Sequence, residues 1–170
     1  MRKMTAVALV YAALASILPA AAQQNQQQPQ QAGKKLEALL NAAELPFNKS
    51  EEGIYIAVIS IDQTESERFR VGLSNLGNDP NNEKLQIIQM YFMLGQIPKG
   101  ASFPPALIKQ MNQWNANLTM GKVVAIGNLV WYASASWLSH TDAETLAIDA
   151  TLGHYVSQDL RKEIAPYLKQ

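Results

Sequence analysis

The chain has 170 residues, with 14 basic and 14 acidic side chains and no cysteine. This balanced charge argues against a nucleic acid or an anionic membrane as the partner, because both are bound through an excess of basic residues. The absence of cysteine excludes disulfides and thiolate chemistry. The length beyond the N-terminal segments, about 140 residues, is enough for one domain with a packed core.

The first 22 residues have the three parts of a secretory signal peptide. Arg2 and Lys3 form the positive start, an apolar run follows over residues 4–18, and Pro19 precedes the small residues at 20–22. The apolar run is shorter than the roughly 20 residues that span a bilayer. We therefore predict cleavage near Ala22, a bacterial periplasmic or secreted location, and no membrane span after cleavage. The mature chain would hold twelve basic and fourteen acidic residues, a net charge of −2.

Residues 23–33 form a second N-terminal segment, which is rich in glutamine and begins QQNQQQPQQ. It has almost no apolar side chain to bury, so we predict a disordered lead-in there. Residues 34–170 are predicted to form a single domain.

Elements of the domain can be predicted in chain order. An opening helix places Leu36, Leu39 and Leu40 at helical spacing and ends before Pro46. Three strands follow over residues 53–61, 68–74 and 85–94, the first two marked by β-branched residues and by alternation. The apolar density of 85–94 also allows a helix, but its isoleucines and aromatic residues favour a strand.

The second half begins with a helix that opens at Pro104 and Pro105, since proline is tolerated in a first helical turn. Residues 121–126 and 129–137 form a hairpin around Gly127-Asn128. Thr141 has the spacing of a capping box with Glu144 and starts a long final helix. The predicted fold is α+β, with a five-stranded antiparallel sheet, helices packed on it, and the order α-β-β-β-α-β-β-α.

Both faces of these strands are apolar. The last strand, for example, sets Trp131 and Trp137 on one face and Val130 and Tyr132 on the other. The segment 85–94 sets Leu85, Ile87, Tyr91 and Met93 opposite Ile88, Met90, Phe92 and Leu94. An antiparallel sheet with one wet face alternates more cleanly, and three helices are too few to cover both faces. The surplus apolar face suggests a protein partner or a second copy; the alternative is that the first helix or a loop wraps behind the sheet.

The aromatic residues are the predicted anchors of such a partner surface, because buried aromatic side chains carry much of the affinity of protein interfaces. The candidates are Trp114, Trp131, Tyr132 and Trp137. Packing in the core is the ordinary role of each, and a cage around a small ligand is a further alternative. Arg68 and Arg70 project from one strand face, where they would either pair with an acidic partner or remain as exposed charges.

No motif for catalysis or metal binding is present. His140 and His154 are the two histidines, and neither has a second ligand at the spacing of a zinc motif. Ser139, His140 and Asp142 are near neighbours, but adjacency in sequence is not triad geometry. We predict no catalytic, cofactor-binding or metal-ligating residues and a protein that is not an enzyme.

Three stretches resemble the YbjN family of bacterial sensory transduction regulators. They are LEALLNAAELPF over 36–47, LIKQMNQWNAN over 107–117 with its pair Trp114-Asn115, and 121–137 with the final helix. The resemblance implies a fold like that of type III secretion chaperones, a curved antiparallel sheet with helices packed on it, and it implies no catalytic residues. Members of that kind act in the cytoplasm, whereas this chain carries a signal peptide.

The function predicted from these observations is a non-catalytic exported binding module. It would be chaperone-like and would dock a polypeptide or a second copy through an apolar sheet face, with a role in envelope stress or signalling implied by the resemblance. The alternative is a small-molecule sensor with a pocket between the sheet and the helices.

Overall fold

The computed structural model describes residues 31–50, 54–62, 65–76 and 83–168. The predicted signal peptide, and the lead-in as far as residue 30, lie outside these residues. No helix in the described ranges combines the length and the apolar character that a membrane crossing requires.

Three helices and six strands make up the described chain. A helix that includes residues 31–42, here α1, is followed by β1 Phe47–Lys49, β2 Tyr55–Ser60, β3 Ser66–Asn75 and β4 Gln86–Gln96. The order continues with α2 Pro105–Asn117, β5 Lys122–Ile126, β6 Leu129–Trp137 and α3 Ala143–Leu168. A single 3-10 turn, Glu83–Leu85, precedes β4.

All six strands lie in one antiparallel sheet with the order β1-β2-β3-β4-β6-β5. The α+β class is confirmed, but the predicted count of five strands is wrong. The additional strand is β1, which has three residues, and its short polar sequence carries no alternation that would predict it. Pairing of Phe47 with Ala57 holds it at the edge of the sheet.

The ambiguous segment over 85–94 is a strand, as predicted, and it lies in the middle of the sheet as β4. The hairpin between β5 and β6 is also confirmed. Gly127 has φ +64° and is the first central residue of its two-residue turn, a position where glycine is favoured because it has no Cβ.

Two predicted boundaries differ from the structure. The lead-in was predicted to extend to residue 33, but residues 31–33 are helical and Ala32 is buried in the core. The cap of α3 is Asp142, whose Oδ1 accepts the Thr145 N–H at 2.8 Å. Thr141 does not cap the helix, because its hydroxyl donates to the Trp137 carbonyl at 2.7 Å.

The core lies between the helices and one face of the sheet, which we call the covered face. Leu36 and Leu40 of α1, Leu107 and Trp114 of α2, and several residues of α3 share one apolar cluster with this face. One close approach is at Gly153, where a Cβ would overlap the ring of Phe92. Glycine at this position therefore lets α3 lie directly on β4. The residues contributed by the sheet are Tyr55, Ala57, Ile59, Phe69, Val71, Ile88, Met90, Phe92, Leu94, Val123, Val130 and Tyr132.

Candidate functional site

The opposite face of the sheet, which we call the open face, carries no helix in the described chain. The register of the strands sets its side chains in rows across the sheet. One row runs Ile56, Arg70, Tyr91, Ala133 and Lys122 from β2 to β5. Two further rows are Met93, Trp131 and Val124, and Ser74, Ile87 and Trp137. A face without a helix therefore exists and the described part of α1 does not wrap behind it, but polar and charged side chains share it with the apolar ones.

Trp131 forms the centre of the open face. The guanidinium carbon of Arg70 lies 4.7 Å from the centroid of its ring, and the ring of Tyr91 meets it edge-on at 6.4 Å between centroids. This stack leaves Trp131 only 5% exposed although no helix covers it. A cation over an indole ring contributes about 0.5–1 kcal/mol at an exposed site, so Arg70 is held in place without an acidic neighbour.

Exposed apolar side chains share the open face with this stack. Met93, which pairs with Trp131, is 48% exposed and Ile126 is 52% exposed, and Trp137, six residues further along β6, is 43% exposed. A groove of about 340 Å³ lies between the strands here, with Arg70, Gln89, Tyr91 and Trp131 among its lining residues. The face is thus a mixture of aromatic, aliphatic and polar side chains rather than a uniformly apolar surface.

The charges on the open face are all positive in the described chain. Arg68, Arg70 and Lys122 have exposed side chains on β3 and β5, and no acidic residue of these strands points to this side. None of the ion pairs among the described residues involves any of the three. The open face is therefore an aromatic surface with unneutralised positive charge.

The structure separates the four aromatic residues singled out in the sequence. Trp131 and Trp137 lie on the open face, but Trp114 and Tyr132 are buried on the helix side of the sheet. The indole N–H of Trp114 donates to Glu163 of α3 at 2.6 Å, and the Tyr132 hydroxyl donates to the Met120 carbonyl at 3.0 Å. Of the four, only Trp137 therefore offers a partner a large exposed surface, and Trp131 supports the Arg70 side chain that covers it.

Two features of the open face were missed in the sequence. The Arg70–Trp131 stack joins residues on β3 and β6, which lie on either side of β4, and this strand order is not visible in the sequence. Tyr91 was assigned to the correct face of its strand but was not recognised as a neighbour of Trp131. Alternation in each strand predicts the side on which a residue lies, but only strand pairing tells which residues meet.

A cavity of about 470 Å³ lies on the helix side, between β6, α3 and the segment 117–121. Its polar side chains on β6 and α3 are Ser134, Ser136, Tyr132 and Asp149, and Asn117 and Thr119 line it from the segment 117–121. Ser136 donates to Asp149 at 2.5 Å, whereas the buried Ser134 hydroxyl has no hydrogen-bond partner. Burial, and then the negative charge of Asp149, raises the pKa of Tyr132 above its ordinary value.

The histidines lie in two different environments. His154 is buried, with its Nδ1 2.6 Å from the Glu67 carboxylate, and Arg161 pairs with the other oxygen of Glu67. His140 is exposed in the loop before α3, with its Nδ1 3.0 Å from the hydroxyl of Ser139. The Asp142 carboxylate accepts the Thr145 N–H at the N-terminus of α3, and it forms no hydrogen bond with His140. Within the ranges that the structure describes, no group of three or more acidic or histidine side chains is arranged to hold a metal ion.

Comparisons with known proteins find a likeness to solved structures but no matching family. No family model and no curated protein matches the chain, so membership of the YbjN family is not confirmed. Among solved structures, the chain is similar to the Yersinia pestis type III secretion chaperone SycH, which was solved in complex with a stable fragment of YscM2. The TM-score is 0.44 at 16% identity, and the match covers 76% of this chain and 98% of SycH.

Proposed function

We propose that this chain is a non-catalytic exported binding module whose open face docks a polypeptide partner with acidic and apolar side chains. The observation that carries the proposal is Trp131, stacked beneath Arg70 and surrounded by exposed apolar residues on a face without a described helix. Tryptophan, tyrosine and arginine are the residue types that most often dominate the affinity of protein interfaces.

The charges of the open face favour a different protein over a second copy. A symmetric dimer would bring this face of one copy, with its positive charges, against the same face of the other. Like charges at an interface are unfavourable, whereas carboxylates of a partner would neutralise them. The apolar residues would then supply affinity, since each large side chain that is buried contributes about 1.5–3 kcal/mol.

The remaining parts of the proposal rest on the sequence. Export to the periplasm rests on the signal peptide pattern of residues 1–22, and kinship with the YbjN family rests on the stretches quoted for it, including Trp114-Asn115. A chaperone-like or signalling role in the envelope would follow from that kinship. The N-terminal sequence of the protein recovered from its native envelope tests export: a chain beginning near Gln23 supports it, and one beginning at Met1 contradicts it.

A matched set of surface variants tests the docking face. Tagged wild-type protein, Arg70→Glu, Trp137→Ser and Ile148→Ser are purified from the envelope, and the amount of each co-purified protein is measured. Ile148 is the control, because it is an equally exposed apolar residue on α3, away from the open face. We expect the Arg70 and Trp137 variants to lose a partner by about tenfold or more, as substitutions at interface anchors do, and the Ile148 variant to retain it.

Two results would contradict the proposal. One is a partner lost with Ile148→Ser and retained with the two open-face variants. The other is a partner retained by all three. Circular dichroism and thermal melting of each variant show that the compared proteins are folded.

A second candidate function is a small-molecule sensor, and the cavity between β6 and α3 is the observation that favours it. Its volume of about 470 Å³ lies within the common range of ligand pockets, roughly 300–1,000 Å³. A ligand bound there would raise the melting temperature of the protein.

A further inference from the structure

One wall of the cavity between β6 and α3 is polar, and one of its hydrogen-bonding groups has no partner among the described residues. The Ser134 hydroxyl is buried and has no hydrogen-bond partner among the described residues. A buried polar group without a partner is unfavourable and marks a position where another molecule can supply one. The hydroxyl of Ser134 can both donate and accept a hydrogen bond.

The same cavity contains one negative charge and no positive one. Ser136 donates to Oδ2 of Asp149, and no lysine or arginine of the described chain forms an ion pair with this carboxylate. None of the residues that line the cavity is basic. The phenol of Tyr132, which also lines the cavity, donates its proton to the Met120 carbonyl, and its oxygen can still accept a hydrogen bond. These groups together accept hydrogen bonds from a cation.

The other walls of the cavity are apolar. Leu118 and Met120 come from the segment after α2, and Leu152 and Val156 come from α3. An aliphatic chain would contact these side chains while a charged end met Asp149. The cavity therefore combines an anionic end with an apolar body, as a site for an amphipathic cation does.

We propose that this cavity binds a single alkylammonium or alkylguanidinium group, with Asp149 as its counter-ion and the Ser134 hydroxyl as a hydrogen-bond acceptor. The inference rests on the second candidate function, and the site lies on the opposite side of the sheet from the open face. The same chemistry is carried by a free amine and by a lysine or arginine side chain of a polypeptide. In both cases the apolar stem occupies the space beside Leu152 and Val156.

Titration calorimetry of the purified protein tests the proposal with defined probes. The probes are n-hexylammonium, its neutral isostere n-hexanol, and a matched pair of octapeptides that carry lysine or glutamine at one central position. We expect a cationic probe to bind, and the neutral partner of each pair to bind about tenfold more weakly or not at all. Binding should weaken with added salt, because ions screen the attraction to Asp149.

Three variants assign the binding to the cavity. Asp149→Asn retains an acceptor for Ser136 but removes the charge, and we expect it to weaken binding of the cation about tenfold or more. Ser134→Ala should weaken binding by a smaller factor. Asp159→Asn is the control, because Asp159 is an exposed acid on the same helix that pairs with Lys162.

Each outcome has one meaning. Binding of hexylammonium alone identifies a free amine as the ligand, and binding of the lysine peptide alone identifies a polypeptide side chain; both support the proposal. Absence of binding by every cationic probe at about 10 mM, a level that excludes even weak affinity, overturns it. Equal binding of the neutral probes, or equal effects of Asp149→Asn and Asp159→Asn, also overturns it. The Arg70→Glu variant should bind the probes like wild type, so failure of the docking proposal and failure of this one are distinguishable.

Discussion

At the scale of single residues, Asn115 shows how one side chain can protect the edge of a sheet. Its amide nitrogen donates to the Val123 carbonyl at 2.9 Å, and its amide oxygen accepts the Val123 N–H at 2.6 Å. The outer edge strand β5 is thus partly closed by a side chain instead of another strand, which reduces the risk of pairing with a second molecule. The neighbouring Trp114 binds Glu163, so the pair ties α2 to both β5 and α3.

We expect Asn115→Ala to destabilise the protein by about 1–3 kcal/mol, because it leaves two backbone groups of Val123 without partners. Urea denaturation measures the free energy of unfolding. Asn112→Ala, at an exposed position of the same helix, is the control and should change this free energy by less than about 0.5 kcal/mol. Equal effects of the two substitutions would show that the contacts of Asn115 with Val123 do not stabilise the fold.

At the scale of elements, α3 is joined to the sheet by a buried ionic cluster as well as by apolar packing. The strand β3 pairs with β4 over Arg70–Asn75, and residues 66–69 of β3 are not part of this pairing. Arg161 of α3 lies next to this part of the sheet, where it donates to the Met93 carbonyl at 2.8 Å and pairs with Glu67. Glu67 also contacts His154 at 2.6 Å. The cluster therefore holds the middle of α3 against β3 where the strands are not paired.

Glu67→Gln should destabilise the protein by about 1–3 kcal/mol, because the Glu67 side chain is only 10% exposed and serves both His154 and Arg161. Glu65→Gln is the matched control. The Glu65 side chain is 42% exposed and lies 3.3 Å from His154, so its substitution should cost less than about 1 kcal/mol. Chemical denaturation of the two variants compares them, and a larger loss with Glu65→Gln would contradict the assignment of Glu67 as the centre of the cluster.

At the scale of the whole molecule, the described chain has helices on only one side of its sheet. All three helices lie on the covered face, so the sheet separates an apolar core from an open face with aromatic and positively charged residues. The cavity near Asp149 lies on the helix side and is reached from the segment 117–121. The cation site proposed at Asp149 and the docking face proposed around Trp131 thus use different side chains.

We expect light scattering to show a monomer at low ionic strength, because like charges on the open face oppose symmetric pairing. The same protein should bind an apolar fluorescent dye, and Trp137→Ser should reduce the dye fluorescence, since this side chain is exposed. Ile148→Ser reports how much dye binds at the exposed surface of α3. A stable dimer that dissociates with Trp137→Ser would show that a second copy, rather than another protein, occupies the open face.

The sequence by itself determined most of the elements and the two faces of each strand. Alternation placed Ile87, Tyr91 and Met93 opposite Ile88 and Phe92, and the structure has the same division. These patterns are local, since they depend on side-chain spacing within a strand or helix. These local patterns gave wrong or missing predictions where the element or motif was very short. The strand β1 has only three residues, and the capping box was placed at Thr141, whereas the next residue, Asp142, caps α3.

Only the tertiary structure decided which side chains meet. The stack of Arg70 on Trp131 requires that β4 lie between β3 and β6, and the cavity near Asp149 requires that α3 cross β6 beside the segment 117–121. Strand order and helix placement follow from the packing of the whole core, to which residues far apart in the chain contribute. For that reason alternation could separate Trp131 and Trp137 from Tyr132, but the sequence could not tell which of the two faces the helices cover.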